Sequence, residues 1–479
     1  MLRREQFEQQ TELQDLHGIV SVVHRVLSGV REPIAGRRHP TRISAPTEAA
    51  WLCQQQKSDS LNHAGIPRYD FAVAPSPGES REEKYPMPGA VSTRVGLSFG
   101  LIQLFFTLSW VIYVLYLPQL AAQAGIGRGV VPWILVLDQV IFALCDLAAG
   151  LAADHVAKIL GRSGKIVAAV TAVSTLAFLL LPFSTAFGAP AFVTLIIIWS
   201  ITSSALRAPP LKLIGRYTPL DQQPWIGSLF LLGIGIASVL APFLAGRITA
   251  CDPRITFAAS AVSVVVVTFS IIWAEKTLAR SFATARPAGG EIRSATFPLF
   301  LVAILLLAIG FQAHSFINAQ PLFLKFAPPT DLPHLLSLFW IGYCLLMLPA
   351  SFLTRHFGGI PVMVLGTLVA AVSALAAAKA PDVVSLGVAQ LISGGAWGCV
   401  TMSAVAAALA IGHGGAEGKA VGAMFSLMAV AAMARIALVA GGFDKVPSLV
   451  LVLPWLPAFS WLGAGLMLMP ATRRAPRPT

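Results

Sequence analysis

The stretch "CDLAAGLAADHVAKILGRSGK", residues 145–165, sets carboxylates into a run of small apolar residues. Asp146 and Asp154 lie eight residues apart with Gly150 midway, and Gly161-Arg162 follows. A third carboxylate, Asp138, stands eight residues before Asp146. Such groups inside hydrocarbon cost at least about 2.5–3.5 kcal/mol each, so they face a cavity or a partner. Positions eight apart on a helix differ by about 80° in direction, which lets Asp138 and Asp146 look into one cavity. Their chemistry is then solute binding or cation coupling. The plainer reading is carboxylates that tie helices together through basic side chains.

Basic groups are equally out of place. Arg207 sits in "SSALRAPPLKLIGRYTP", and a guanidinium offers five donors in a planar fork that fits carboxylate or phosphate. It can bind an anionic solute, pair with Asp146, or snorkel to the membrane surface beside Lys212 and Arg216. Arg435 lies thirteen residues into the apolar run that starts at Gly422, about 20 Å along and far for snorkelling. An unpaired charge at that depth is costly, so a partner is expected.

A third set is "FQAHSFINAQ", with Gln312, His314, Asn318 and Gln320. So many amide and imidazole groups point to a cavity wall. His314 is either a proton carrier, since imidazole titrates near physiological pH, or a hydrogen-bonded wall residue. Gln103, Trp110, Tyr113, Tyr343 and Trp397 are further lining candidates, while Gly394, Gly395 and Gly398 suit close helix packing.

These residues must be carried by membrane helices. Of 479 residues 56% are hydrophobic and 12% charged, half the charged share of about 25% in soluble domains. Twelve apolar segments are expected, near 95–117, 131–152, 165–185, 191–213, 226–246, 255–273, 297–318, 334–353, 360–379, 383–410, 420–441 and 447–469. Each is long enough to cross about 30 Å of hydrocarbon as a helix. The expected organisation is an extension over 1–93 with one amphipathic helix, six-helix bundles over 94–273 and 296–470, a basic linker over 274–295, and a basic tail over 471–479.

The net charge of +12 is concentrated in short loops rather than in the extension. With both termini inside, inner loops and tail carry fourteen Lys/Arg and outer loops six; this places both termini in the cytoplasm of a cell-membrane protein and argues against a nucleic-acid partner. An internal repeat supports the division. Gly227, Phe230 and Gly246 fall opposite Gly422, Phe425 and Gly441 at a constant offset of 195, as expected for parallel repeats of six helices. The five cysteines have no CxxC spacing, so no disulfide or metal site is expected. HExxH, GxSxG and phosphate-binding glycine loops are missing, and an enzyme is not expected.

Gly150-x-x-x-Asp154 followed by Gly161-Arg162 resembles the loop between helices two and three of the major facilitator superfamily. The resemblance covers roughly residues 95–470. It implies an all-α fold of two six-helix pseudo-repeats, with Gly150 packing helices closely and Asp154, Gly161 and Arg162 forming a cytoplasmic lock. It also sets the second helix beside the eleventh, which makes Asp146 or Asp138 the expected partner of Arg435, in a pair that breaks and reforms as the halves rock or that only ties the helices together. More narrowly, the Asp146, Gly150, Asp154 and Gly161 spacing looks like the glycoside–pentoside–hexuronide cation symporters, to which melibiose permease belongs. There an aspartate at the Asp146 position helps hold the coupling cation. Pro209 aligns with a proline of that branch, but Arg207 stands where sugar transporters carry a substrate-binding aspartate, and Phe142 replaces a carboxylate; both departures point away from sugar and sodium.

The expectation is a monomeric secondary active transporter that moves a small polar, anionic solute by alternating access. It needs no cofactor beyond a coupling ion, H+ or Na+, and its other partner is membrane lipid. Its site would be drawn from Asp138, Asp146, Arg207, Gln312, His314, Asn318 and Arg435. The alternatives are a proton-driven exporter, or a non-transporting receptor or assembly factor that uses residues 1–93 as its arm.

Overall fold

A polypeptide surrounded by lipid must satisfy its backbone polar groups within each segment, and long apolar runs therefore become helices. The computed structural model describes residues 93–155, 163–219, 221–281, 296–413 and 415–472, all within one unit, Pro88–Thr479. The amino-terminal extension with its expected amphipathic helix, and the tail from 473, lie outside the described residues.

Six helices come first: α1 (Thr93–Gln123), α2 (Val131–His155), α3 (Ser163–Ser184), α4 (Ala189–Tyr217), α5 (Gln223–Ile248) and α6 (Pro253–Ser281). Then follow α7 (Phe297–Phe323), α8 (Leu332–Phe357), α9 (Gly359–Ala378), α10 (Val383–Ile411), α11 (Glu417–Ala440) and α12 (Leu456–Thr472). Eleven of these are long and apolar enough to cross a membrane. No strand occurs among the described residues.

The seventh and twelfth segments depart from simple spans. α7 widens into a π-helical turn over Ala313–Asn318, and the twelfth segment is broken, a short helix Pro447–Val452 being set off from α12 by a turn. The two irregularities meet. Asn318 Nδ2 donates to the Leu453 carbonyl at the break, 2.8 Å away. Trp461 Nε1 of α12 donates to the Leu307 carbonyl of α7 at 3.0 Å. Asn318 thus satisfies a carbonyl of the irregular backbone, while Trp461 ties α12 to the regular part of α7.

The halves meet along α2–α11 and α5–α8, with further packing of α5 on α10 and α4 on α11. Exchanging the halves, so that α2 becomes α8 and α11 becomes α5, turns the first pair into the second, as a two-fold pseudo-repeat requires. At the α2–α11 crossing the backbones touch. A Cβ on Gly150 would strike the Gly418 carbonyl, and one on Gly422 would strike the Asp146 carbonyl and Gly150. Gly150 therefore does serve close packing, between the halves. The repeat-related Gly227 has no such duty: a Cβ there would meet only Val405, at 4.0 Å.

One end of the bundle is sealed. Ile214, Ile226 and Phe230 of the amino half and Val405, Leu409 and Met424 of the carboxyl half are buried in one apolar cluster. At the same end Arg355 of α8 pairs with Asp221, just before α5, at 3.3 Å.

Candidate functional site

In the amino half the polar centre is Asp138. Side by side, α1, α2 and α4 bring two hydroxyls to a carboxylate with no solvent exposure. Tyr113 of α1 donates to Oδ2 at 2.7 Å, and Ser200 of α4 donates to Oδ1. Tyr113 is held by aromatic neighbours, with its ring centroid 4.7 Å from Trp199 and 5.4 Å from Trp110. One turn along α4, Ser204 donates to Oδ1 of the half-buried Asp146 at 2.8 Å.

Both carboxylates therefore accept from the serine face of α4. The nearby cavity, about 270 Å³, is lined instead by the next residue, Gln139, with Gln103, Thr107, Trp110, Trp199 and Ser203 among others. Gln103 is almost fully buried. Its Nε2 donates to Thr107 Oγ1 at 3.3 Å, while its Oε1 has no partner. A buried amide oxygen in that state favours a donor arriving from the cavity.

In the carboxyl half the charge is positive. Arg435 of α11 donates from Nε to Gln312 Oε1 of α7 at 3.1 Å, and its guanidinium carbon lies 4.8 Å from the centroid of the Phe316 ring. The expected ion pair with Asp138 or Asp146 is absent. Asp138 accepts from one hydroxyl at each oxygen, whereas Arg435 rests on a neutral amide and an aromatic face, an arrangement that cation–π attraction supports. Arg435 is also nearer the surface than expected, five residues from the Ala440 end of its helix, about 8 Å.

His314 and Asn318 of α7 have structural partners. His314 is buried, with Nε2 2.9 Å from Gln390 Oε1 and its ring packed beside Phe339 and Trp461; it is a hydrogen-bonded wall residue here. Asn318 is the latch to the broken twelfth segment, and Gln320 is exposed. Tyr343 and Trp397 line a second, apolar cavity of about 110 Å³, with Ile234 at the border of both cavities. Gly394 packs on the Phe339 carbonyl and Gly398 on that of Tyr343, Gly395 against Leu346.

Arg207 is placed on α4 and Asp154 on α2, but their side chains, like Gly161 and Arg162 altogether, lie outside the described residues. No cluster of three or more metal-ligating side chains occurs among the described residues. Ser200, Ser204 and Gln390 escaped the sequence reading. The four-residue spacing of the two serines in "SITSS", matched to one helical turn, was the available signal.

Residues 99–434 match the Major Facilitator Superfamily model. The chain belongs to that superfamily and is a secondary transporter. No curated protein matches the sequence. Among solved structures it is similar to the human organic anion transporter MFSD10 (TETRAN), with TM-score 0.61 and 14% identity over 78% of this chain and 99% of that one. It is also similar to a bacterial homologue of the iron transporter ferroportin in an outward-facing state, with TM-score 0.63 and 13% identity over 79% and 100% of the two chains. A third is the proton:xylose symporter XylE, with TM-score 0.58 and 15% identity over 80% and 94%. At such identities the likeness is one of fold.

Proposed function

We propose that the protein moves a small polar, anionic solute, with Arg435 as the group that receives the negative charge. One observation carries this reading. Arg435 uses Nε on a neutral amide and one face on Phe316, leaving its Nη donors without a protein acceptor among the described residues. A guanidinium oriented in this way is prepared for the bidentate recognition of carboxylate or phosphate. The amino-half cavity adds hydroxyls and the unpartnered Gln103 carbonyl, which suits a solute that also carries O–H or N–H donors. Arg207, on α4, is a second candidate for the same charge.

In this reading the sealed end and both termini face the cytoplasm in the inner membrane of the cell, which the charge bias of the loops supports. The glycoside–pentoside–hexuronide branch is proposed on the Asp146–Gly150–Asp154 spacing alone. The test is the melting temperature of the purified full-length protein against a panel of anionic and neutral metabolites. A ligand at about 100 times its Kd should add about 2.7 kcal/mol of stability. Stabilisation by anions that Arg435→Gln abolishes supports the reading; stabilisation by neutral compounds alone, or by anions equally in Arg435→Gln, sinks it.

A further inference from the structure

We propose that the solute is an aryl carboxylate, its ring seated in the apolar cavity of the carboxyl half and its acid group, carried on a short chain, held by Arg435. The proposal rests on the anion reading given above and names the chemical class of the solute.

The cavity is shaped and lined for a ring. Its volume is about 110 Å³, and an apolar cavity of about 150 Å³ stays dry and takes up benzene. Phe311, Trp340 and Trp397 form an aromatic wall. Phe311 and Trp397 stack with centroids 4.5 Å apart and planes 5° apart, and Trp340 stands edge-on to Phe311 at 5.9 Å. A further ring prefers offset faces and edges as neighbours, and this wall offers both. Ile304, Leu307 and Val400 add aliphatic surface. The two hydroxyl side chains of the lining, Tyr343 and Thr401, lie 3.4 Å apart as a hydrogen-bonded pair, turned to each other rather than to a guest.

Arg435 stands over this cavity. Met424, Phe425 and Met428 line it from α11. Arg435 follows Met428 by seven residues, so it points the same way within about 20° and lies about 10 Å further along the helix. Val405 and Met424 belong both to the cavity and to the apolar seal. The ring therefore lies deep, against the seal, and the acid group lies away from it.

The π turn of α7 joins the ring pocket to the cation. In a regular α-helix, residues five apart point about 140° from each other. Phe316 follows Phe311 by five residues, yet their rings meet edge to face at 5.6 Å, because the wider turn over Ala313–Asn318 brings the second round above the first. Phe311 is a wall of the cavity, and Phe316 carries the guanidinium on its face at 4.8 Å. Gln312, beside Phe311, holds Nε. One turn thus fixes the pocket and aims the cation, at a separation that a short linking chain spans. A small aliphatic or inorganic anion would use the cation alone and leave the aromatic wall empty. The polar chamber across Ile234 remains for any O–H or N–H the solute also carries.

The test is isothermal titration calorimetry of the full-length protein in lipid nanodiscs with phosphate, propionate, hexanoate, hydrocinnamate and hydrocinnamide. Hydrocinnamate should bind about tenfold more tightly than hexanoate, which is of comparable apolarity, and than propionate or phosphate. Removing the charge, in hydrocinnamide, or the cation, in Arg435→Gln, should each weaken binding about tenfold or more. Met428→Trp, which fills the cavity and keeps Arg435, should weaken hydrocinnamate by a larger factor than propionate; equal factors would overturn the ring's seat. If Met428→Trp does not fold, the probe series on the wild type decides alone. Hexanoate, propionate or phosphate binding as tightly as hydrocinnamate, with loss in Arg435→Gln, overturns the aryl proposal and leaves the anion reading standing. Hydrocinnamide binding as tightly as the acid removes both. Hydrocinnamate failing to bind overturns the proposal, and the metabolite panel then decides the anion reading by itself.

Discussion

Among the described side chains, the interior charge of the amino half is negative and rests on regular helices: Asp138 lies among α1, α2 and α4 and accepts from two side-chain hydroxyls. In the carboxyl half it is positive and rests on α7, a helix widened by a π turn that also faces the broken twelfth segment. The helices repeat after six, and the seams α2–α11 and α5–α8 repeat with them. The chemistry does not. Packing symmetry constrains which helices touch, whereas the polar groups each half buries are free to diverge once the bundle closes.

The sharpest way to break this comparison uses the repeat-related glycines. Gly422→Ala should cost about 1–3 kcal/mol of stability through backbone overlap with α2. Gly227→Ala, which meets only Val405, should be neutral or gain up to about 1 kcal/mol from helix propensity. Melting temperatures of the two variants decide it, and equal shifts would mean that the halves are interchangeable at this seam.

An effect of similar size sharpens the contrast in backbone. Asn318→Ala strands the Leu453 carbonyl and should destabilise by about 1–3 kcal/mol, read in the same assay. A shift within error would show that the broken segment stands without its latch.

The smallest effect lies at the surface. Asp382 caps α10, accepting the Ser385 backbone N–H at 2.8 Å, and this bond holds its carboxyl below the usual carboxylate range. A depressed carboxyl contributes stability that is complete above its unfolded value and lost as pH falls through its folded one. Asp382→Ala should therefore lower the melting temperature slightly at neutral pH and progressively less in acid. A deficit that grows in acid would contradict the cap.

The twelve segments were legible because length and apolarity suffice to announce a span. The break in the last one also had a signal, Pro454 and Pro457 in "LPWLP", since proline lacks the N–H that continues a helix. The π turn of α7 had none, and its hydrogen bond from Asn318 to the Leu453 carbonyl joins residues far apart in the sequence. The cost of a buried charge likewise singled out Asp138 and Arg435, but not what meets them. Opposite charge was the natural guess for Arg435, yet an amide and a ring suffice when the group is only half-buried. Ser200 and Ser204 were hidden by ordinariness: serine is common in helices, and only the direction of the α4 face gives these two a role.

The apolar seal formed by Ile214, Ile226, Phe230, Val405, Leu409 and Met424 is also an electrical insulator. Where water fills the protein down to such a layer, the membrane voltage falls across the layer's few ångströms instead of across the whole bilayer. A unit charge carried past it then exchanges about 2.3 kcal/mol for every 100 mV. A few hydrocarbon side chains thereby act as the dielectric of a molecular capacitor, and the field is strongest where the two halves must part.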